Sequence, residues 1–358
     1  MDSMLLDFQA RIRSAAAKKS PLVIRGGGSK DFYGNTIAGD VLVTKGYAGI
    51  VDYDPTELVV TARAGTPLAD IEDALRRSGQ MLGCEPPHFG AAATLGGMVA
   101  AGLSGPRRPY GGAVRDIVLG VRVLDGRGDE LGFGGRVMKN VAGFDLSRLM
   151  TGSLGTLALL TEISLKCMPL PKAVTTLVIA CPSDEAIELT NKWVRKALPV
   201  SATCLYGNQL TVRLSGAAPA VRAAASRIGG AIVEDDGVFW ERLREQTHPF
   251  FASAQRPGSS LWRLSVKSTA PYTDFGCPQL IEWNGALRWV VAGQSSHSAH
   301  FRTWAAAHGG HATLFRAADK AAGAFHPLPP ALQALHQGLK ATFDPARVLN
   351  RGRLYDEF

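Results

Sequence analysis

The sequence predicts an α+β protein with more than one domain. Short β-branched runs, such as residues 22–24 and 58–62, alternate with segments that carry apolar residues at helical spacing, such as residues 5–17. The composition is that of an ordinary globular protein, apart from 40 glycines that are concentrated in the first half. At 358 residues the chain is long enough to build two separate cores.

Composition and charge narrow the classes of function. No apolar run approaches the roughly 18–20 residues needed to cross a bilayer, and the N-terminal residues do not resemble a secretory signal. The five cysteines are scattered without a C-x-x-C pair, which favours free thiols in a reducing compartment and argues against an iron–sulfur or zinc site. The formal charge of +8 is dispersed and no nucleic-acid-binding module is present, so it suits anionic ligands or an acidic partner. We therefore expect a cytoplasmic protein that reaches a membrane only through partners.

A glycine-rich turn directly follows the β-branched run at residues 22–24. Glycine has no Cβ, so this turn can adopt positive φ and bring successive main-chain N–H groups close to a ligand. With the flanking cations and hydroxyl, it is suited to bind phosphate oxygens; the alternative is a flexible hairpin tip. It matches neither G-x-G-x-x-G nor G-x-x-x-x-G-K-[ST], which disfavours a Rossmann or P-loop site. The turn consists of Arg25, Gly26, Gly27, Gly28, Ser29 and Lys30.

The first eighty residues are predicted to form a compact α+β unit. Residues 5–17 form a helix, residues 41–44 and 58–62 form strands, and a second helix begins at Thr66 and Pro67. Threonine favours the N-cap position and proline favours the first helical position. The buried face of this second helix is then formed by Leu68, Ile71 and Leu75.

Residues 91–105 consist almost entirely of small side chains. Two explanations are open: close packing of a helix, or a large flat ligand that occupies the space. Prolines and glycines on both sides argue against a long regular helix, so the ligand is favoured.

The remaining elements continue the alternation of strands and helices. A hairpin turns at residues 125–128, and residues 169–172 resemble a domain boundary. The final helix is predicted to be amphipathic, with Leu332, Leu335 and Leu339 along its apolar face. The other predicted elements are strands at 157–165, 175–180, 261–266 and 287–292, and helices from Ser183, at 219–228 and at 301–308.

Together these segments resemble the FAD-linked oxidase family with the vanillyl-alcohol-oxidase, or PCMH-type, flavin fold. The resemblance covers residues 5–170 and rests on five stretches in the family's order: the turn at 25–29, then 94–97, 110–111, 139–146 and 152–156. Residues 343–355 also resemble the family's C-terminal return to the flavin, with Arg351 where proline is usual. The resemblance implies an FAD-binding domain of two subdomains at 1–171, an α+β cap-like domain at 172–330, and a C-terminal helix and tail at 331–358 that pack back on the FAD domain.

The resemblance also implies roles for individual residues. The turn at 25–30 would hold the pyrophosphate, and Gly155, Thr156 and the backbone near Ile163 would receive the adenosine end. The histidine that bonds covalently to flavin in some relatives is absent from this turn, so non-covalent FAD is expected, with His88 as the nearby alternative. The ribityl chain and isoalloxazine would be lined by Pro87, Thr94, Leu95, Gly96, Gly97, Ala101, Gly102, Ser104, Gly105, Tyr110 and Gly111.

A narrower resemblance concerns the second half of the chain. Four stretches, at 248–251, 261–266, 288–289 and 310–316, are similar to the family of FAD-binding subunits of glycolate oxidase. This resemblance implies a second, larger FAD-linked subunit and an iron–sulfur subunit as partners, with a small 2-hydroxy acid as the substrate of the complex.

A complete catalytic site is not evident in the sequence. Oxidation of a 2-hydroxy acid by flavin needs a base for the hydroxyl proton and a cation for the carboxylate. The histidine-and-acid cluster of self-sufficient relatives is absent; the histidine pairs 297/300 and 308/311 lack nearby carboxylates, so no metal site is expected. Arg263, Arg288 and Arg316 either hold a carboxylate or pair with local acids. Three hypotheses follow: a flavin-binding subunit of a complex, an independent D-2-hydroxy-acid dehydrogenase, or a structural subunit with a degenerate pocket.

Overall fold

The computed structural model describes residues 2–135, 145–234, 236–293 and 298–358. Of the stretch 139–146 that contributes to the family resemblance, residues 139–144 lie outside the described part of the chain, as does His297. Within the described ranges, no helix is both long enough and apolar enough to span a membrane.

The described residues form the α+β architecture that the sequence predicts. The helices are α1 (Ser3–Lys18), α2 (Leu68–Arg77), α3 (Leu95–Ala101), α4 (Arg108–Gly111), α5 (Val114–Ile117), α6 (Leu146–Leu149), α7 (Ser183–Val194), α8 (Ala218–Ile228), α9 (Asp236–Arg244), α10 (Pro249–Ala252), α11 (Ser298–Ala307) and α12 (Pro330–Phe343). The strands are β1 (Leu22–Arg25), β2 (Asp40–Val43), β3 (Ile50–Asp54), β4 (Val59–Arg63), β5 (Gln80–Met81), β6 (Val118–Leu124), β7 (Glu130–Gly134), β8 (Leu159–Lys166), β9 (Met168–Pro169), β10 (Ala173–Ala180), β11 (Val200–Tyr206), β12 (Gln209–Gly216), β13 (Ala231–Val233), β14 (Ser259–Ser265), β15 (Gln279–Glu282), β16 (Leu287–Gly293) and β17 (His311–Arg316).

The chain divides into two compact units. The first unit comprises Met1–Leu103, Ala113–Pro169 and Pro327–Phe358, and the second comprises Ser104–Gly112 and Leu170–His326. The sequence-based boundaries at 171/172 and 330/331 differ from these by a few residues. The larger difference is the segment Ser104–Gly112, which the sequence analysis placed in the first domain.

Hydrogen bonds explain why Ser104–Gly112 packs with the second unit. Arg107 Nη1 donates to Ser215 Oγ at 2.8 Å. The indole Nε1 of Trp283 donates to the Gly105 carbonyl at 3.0 Å. These partners are remote in sequence, so local patterns do not reveal them.

The first unit has a five-stranded antiparallel sheet with strand order β3-β4-β8-β6-β7. Helices α2 and α3 bury apolar side chains in the same core as this sheet, including the predicted Leu68, Ile71 and Leu75. The predicted N-cap of α2 is wrong: Pro67 is the N-cap, while the Thr66 hydroxyl donates to the Arg63 carbonyl at 2.6 Å. Thr66 therefore ties the end of β4 instead of capping the helix.

A second core cluster of the first unit surrounds β1 and β2, which pair in parallel. Helix α1 contributes Leu5, Phe8 and Ile12, as its apolar spacing predicts. Val348 and Leu349, near the C-terminus, belong to the same cluster. A parallel bridge joins Leu22 to Leu349, so the C-terminal segment lies beside β1.

The last helix presents a different face from the predicted one. Leu332 and Leu335 are 45% and 64% exposed, whereas Lys340 and Phe343 are buried. Leu339 packs partly against the core, as expected. The predicted apolar face is therefore exposed at Leu332 and Leu335, and the inward face includes a lysine that local hydropathy does not identify as buried.

The second unit is built on an eight-stranded sheet with order β13-β10-β12-β11-β15-β16-β14-β17. Every pairing in this sheet is antiparallel. Helices α7 and α8 bury side chains in one core cluster of this unit, and α11 buries Phe301 and Ala305 in another. Ser183 is the first residue of α7, which has Pro182 as its N-cap.

Candidate functional site

The glycine turn follows β1 and packs closely against residues 92–94 of the same unit. A Cβ at Gly27 would lie 1.4 Å from the Ala92 carbonyl oxygen, and a Cβ at Gly26 would lie 2.4 Å from Thr94 Oγ1. Gly28 has φ of +76°, a left-handed conformation that side chains other than glycine rarely adopt. The three glycines are therefore required by the protein's own packing and backbone geometry.

A cavity of about 440 Å³ opens beside this turn within the first unit. Its volume lies in the range of about 300–1,000 Å³ that is typical of small-molecule and cofactor sites. The predicted site residues that line it are Arg25, Gly26, Gly27, Gly28, Ser29, Lys30, Thr94, Gly96, Gly97, Ala101 and Gly155.

Helix α3 supplies the small residues on one wall of the cavity. The Thr94 hydroxyl caps this helix by accepting a hydrogen bond from the Gly97 N–H at 3.2 Å. A Cβ at Gly96 would lie 2.8 Å from the Ala64 Cβ, so this glycine permits close packing of helix and strand. Gly97 and Ala101 line the cavity. Close packing therefore accounts for Gly96, which also lines the cavity with Gly97 and Ala101, and occupation of this space by a ligand stays a prediction.

Several other predicted site residues of the first unit do not line this cavity. Leu95 and Ile163 are buried in the core of the five-stranded sheet. Gly102 has φ of +64° and packs against Gly152. Thr156 is buried, and its hydroxyl donates to the Ser153 carbonyl at 2.7 Å. Pro87 is likewise absent from the lining.

Charged groups around the turn are held in specific contacts. Arg25 Nη2 forms an ion pair with Asp31 Oδ2 at 2.6 Å, with both side chains about half exposed. Lys30 Nζ donates to the His88 carbonyl at 3.1 Å. Arg353 Nη2 donates to the carbonyls of Lys30 and Asp31 at 3.2 and 2.7 Å, and burial lowers the pKa of Arg353. The glycine turn thus lines the cavity together with Arg25, Lys30 and Arg353, and this set of cations suits a phosphorylated ligand.

Two cavity residues from the C-terminal segment, Asn350 and Arg353, were not among the predicted site residues. Asn350 is in the left-handed conformation with φ of 40°. Its side chain accepts from the Ile24 N–H at 2.7 Å and donates to the Leu154 carbonyl at 2.6 Å. The similarity of residues 343–355 to the family's C-terminal return was the signal that could have identified both.

The remaining predicted site residues, Ser104, Gly105, Tyr110 and Gly111, belong to the second unit and are absent from the cavity lining. Tyr110 forms hydrogen bonds through its hydroxyl with the Asn284 side chain, at 3.1 and 2.9 Å, and burial raises its pKa.

An aromatic and cationic group lies in the second unit. The guanidinium carbons of Arg108 and Arg263 are 4.5 and 5.2 Å from the centre of the Trp283 ring. His311 is exposed at the first position of β17, and its pKa is lowered, to about 4, by partial desolvation of the ring and by the positive charges of Arg263, His326 and Arg108.

Arg288 has a structural role. Its buried guanidinium donates to three main-chain carbonyls, of Gly285, Pro271 and Ala270. Three of its five N–H donors are therefore engaged within the fold, and the residue is fully buried, which makes it a weak candidate for binding a substrate carboxylate.

No metal-binding cluster of three or more His, Cys, Asp or Glu residues occurs among the described residues. His88 is absent from the cavity lining, and its Nε2 lies 3.2 Å from Glu72 Oε2. The lining contains no histidine side chain.

Comparison with known proteins identifies the family. A family model described as an FAD binding domain matches residues 6–134. Over 97% of its length the chain is 50% identical to the glycolate oxidase subunit GlcE of Escherichia coli (strain K12), covering 96% of that protein. The chain belongs to the FAD-linked oxidase family that includes GlcE. It is an FAD-dependent oxidoreductase of the group that acts on CH–OH substrates.

More distant relatives and solved structures support the same fold. A D-lactate dehydrogenase of Archaeoglobus fulgidus is 33% identical over 54% of this chain, but the match covers only 44% of that enzyme. A solved structure of alkyldihydroxyacetonephosphate synthase aligns with a TM-score of 0.63 at 15% identity, over 96% of this chain and 73% of that one.

The residues of the cavity fit an FAD-linked oxidase. A phosphate needs main-chain donors that bulky side chains do not block, and the cavity has a glycine turn in the wall, where glycines are sterically required. The wall from α3 is lined by Gly97 and Ala101, which leave space for a large planar group.

Proposed function

We propose that this chain is the FAD-binding subunit of a multi-subunit oxidase that converts glycolate to glyoxylate and passes electrons to its partners. The observation that carries the proposal is the glycine-lined cavity, in a chain that matches GlcE along almost its entire length. The partners would be a larger FAD-linked subunit and an iron–sulfur subunit. The complex would lie in the cytoplasm, with any membrane contact made through those partners.

The proposed role of the first unit is to hold FAD non-covalently. Main-chain N–H groups at 26–29 would bind the pyrophosphate, with Arg25 and Lys30 adding positive charge. The small residues of α3 would face the flavin portion, and Gly155 would lie toward the adenosine end. Nine other residues stay predicted FAD contacts, although they do not line this cavity. They are Ser104, Gly105, Tyr110 and Gly111 of the second unit, and Pro87, Leu95, Gly102, Thr156 and Ile163 of the first.

FAD, when bound, would supply the acceptor for the hydride equivalent that leaves the C–H bond of a 2-hydroxy acid. The reaction also needs a base for the hydroxyl proton and a cation for the carboxylate. Of the three arginines considered from the sequence, Arg288 is the weakest candidate cation, because it is committed to three main-chain carbonyls, and Arg263 and Arg316 stay candidates. We assign no base within this chain, which is consistent with a role inside a complex.

Visible absorption of the purified chain tests the proposal. We expect the purified chain to show the visible absorption bands of a bound flavin, near about 450 nm. Under anaerobic conditions, glycolate should leave these bands unchanged in the isolated chain and bleach them once the partner subunits are added. Rapid bleaching by the chain alone would instead support an independent dehydrogenase, and D-lactate run in parallel would identify its substrate. Absence of flavin after reconstitution with FAD would support a structural subunit with a degenerate pocket.

A further inference from the structure

A buried ion pair in the first unit is not used by the proposed flavin contacts. Lys340 Nζ lies 2.7 Å from Asp344 Oδ2, and the side chains are 1% and 0% exposed. Removing two charges from water costs several kcal/mol per ion unless further hydrogen bonds satisfy them. The other partners of these two charges therefore indicate what the pair holds in place.

The Lys340 ammonium connects two segments that are remote in sequence. It donates to the Thr156 carbonyl at 2.7 Å and to the Leu349 carbonyl at 2.9 Å. Together with Asp344, these acceptors account for all three ammonium protons. Thr156 directly follows Gly155, which lines the cavity.

The Asp344 carboxylate organises the segment that follows α12. It accepts hydrogen bonds from the N–H groups of Val348 and Leu349 at 3.2 and 2.8 Å. Gly126 leaves room for this carboxylate, because a Cβ there would lie 2.4 Å from Asp344 Oδ1. These hydrogen bonds hold the main chain between residues 344 and 349 against the Asp344 side chain.

This ordered segment then holds the strand that leads into the glycine turn. The Leu22 N–H donates to the Val348 carbonyl at 2.7 Å, and the Asn350 N–H donates to the Leu22 carbonyl at 2.9 Å. The Asn350 side chain continues the pattern by bonding the Ile24 N–H and the Leu154 carbonyl. Two parts of the cavity wall, the strand before the turn and the loop at 154–156, are thus bonded to the C-terminal segment.

We propose that Lys340, Asp344 and Asn350 are positioning residues for the nucleotide: they hold the glycine turn and the 154–156 loop at the spacing that FAD requires. The inference rests on the assignment of FAD to this cavity in the proposed function. Lys340 and Asp344 do not line the cavity, so they act through the main chain of Thr156, Leu349 and β1.

Two variants, one at the ion pair and one at Asn350, remove the positioning contacts while limiting damage to the fold. In Lys340→Met/Asp344→Asn, both charges are removed together by side chains of similar size, which avoids leaving one buried charge uncompensated. In Asn350→Gly, the side-chain bonds are lost, but the left-handed backbone conformation stays favourable. The matched control is Phe343→Leu, since Phe343 is buried on α12 in the core of the five-stranded sheet and does not line the cavity.

The experiment is a titration of FAD into full-length apoprotein, followed by flavin fluorescence at a temperature where circular dichroism shows every variant folded. We expect the FAD Kd to rise about tenfold or more in both test variants. The affinity for ADP, used as a competitor, should fall by a similar factor. Phe343→Leu should lower the thermal midpoint but change the FAD Kd less than about twofold.

Test variants that bind FAD like wild type would overturn the inference, as would a control that loses FAD in proportion to its lost stability. Failure of the wild-type apoprotein itself to bind FAD would overturn the proposed function together with the inference. The two failures are therefore distinguishable in one titration series.

Discussion

Gly27 lies so close to the main chain of Ala92 that no side chain fits at position 27. A Cβ at Gly27 would lie 1.4 Å from the Ala92 carbonyl oxygen and 2.4 Å from its carbonyl carbon. From the sequence, glycine at this position was expected to let the backbone approach a ligand. The structure adds a second reason, because the turn must first fit against the protein's own main chain. Substitutions here should therefore affect folding stability and FAD binding together.

We expect Gly27→Ala to lower the free energy of unfolding by about 1–3 kcal/mol, as is usual when a side chain is forced into a well-packed site. FAD affinity should fall at least tenfold, because relief of the clash displaces the turn. Urea unfolding and FAD titration measure the two effects. The matched control is Gly132→Ala in β7, where a Cβ would meet no atom within 4 Å. Equal stability of the two variants would contradict the contact with Ala92.

We expect Arg353→Gln to weaken FAD binding about five- to twentyfold, since the guanidinium holds the carbonyls of Lys30 and Asp31 at the end of the glycine turn. The control is Arg351→Gln, which removes an exposed arginine from the same segment. Isothermal titration with FAD provides the comparison. If the two variants bind alike, Arg353 does not order the turn.

In the second unit, Arg288→Met should lower the free energy of unfolding by about 3 kcal/mol, because it leaves three main-chain carbonyls, two of them in buried hydrogen bonds, without their donor. Arg256→Met, at an exposed position, should cost less than about 0.5 kcal/mol. Urea midpoints measured on holoprotein would test this. A stability cost for Arg288→Met no larger than for the control would reopen a role for Arg288 in binding substrate.

The loss of folding stability at acid pH should depend in part on His311. Its folded pKa is about 4, below the unfolded value of about 6.5. Between these pH values the unfolded state binds more protons, so stability rises with pH across this window and is lost as the pH falls. His311→Gln should therefore flatten the dependence of the urea midpoint on pH between about 4 and 6.5.

The control for this pH series is His308→Gln, which also removes one histidine, from the residue just after α11. It should leave the slope closer to that of wild type. An unchanged slope in His311→Gln would show that its surroundings do not desolvate the ring as the structure indicates.

Local patterns in the sequence were sufficient to predict much of the first unit. The strand–glycine turn at 22–30 and the apolar stripes of α1 and α2 lie where expected, because their spacing depends on neighbours within a few residues. The apolar stripe of α12 was assigned to the wrong face. The buried Lys340 pairs with Asp344 four residues later, but the Thr156 carbonyl that also accepts from it comes from a distant segment, which the hydropathy of the helix does not reveal.

The sequence alone determined the α+β class, the glycine turn and the resemblance to flavin-dependent oxidases, since each depends on short motifs with their own backbone chemistry. The tertiary structure decided which of the candidate residues share one cavity, that Ser104–Gly112 packs with the second unit, and that Asn350 and Arg353 join the site. Those outcomes depend on hydrogen bonds between residues that are hundreds of positions apart, such as Ile24 with Asn350, and the cost of leaving buried polar groups unpaired selects among them.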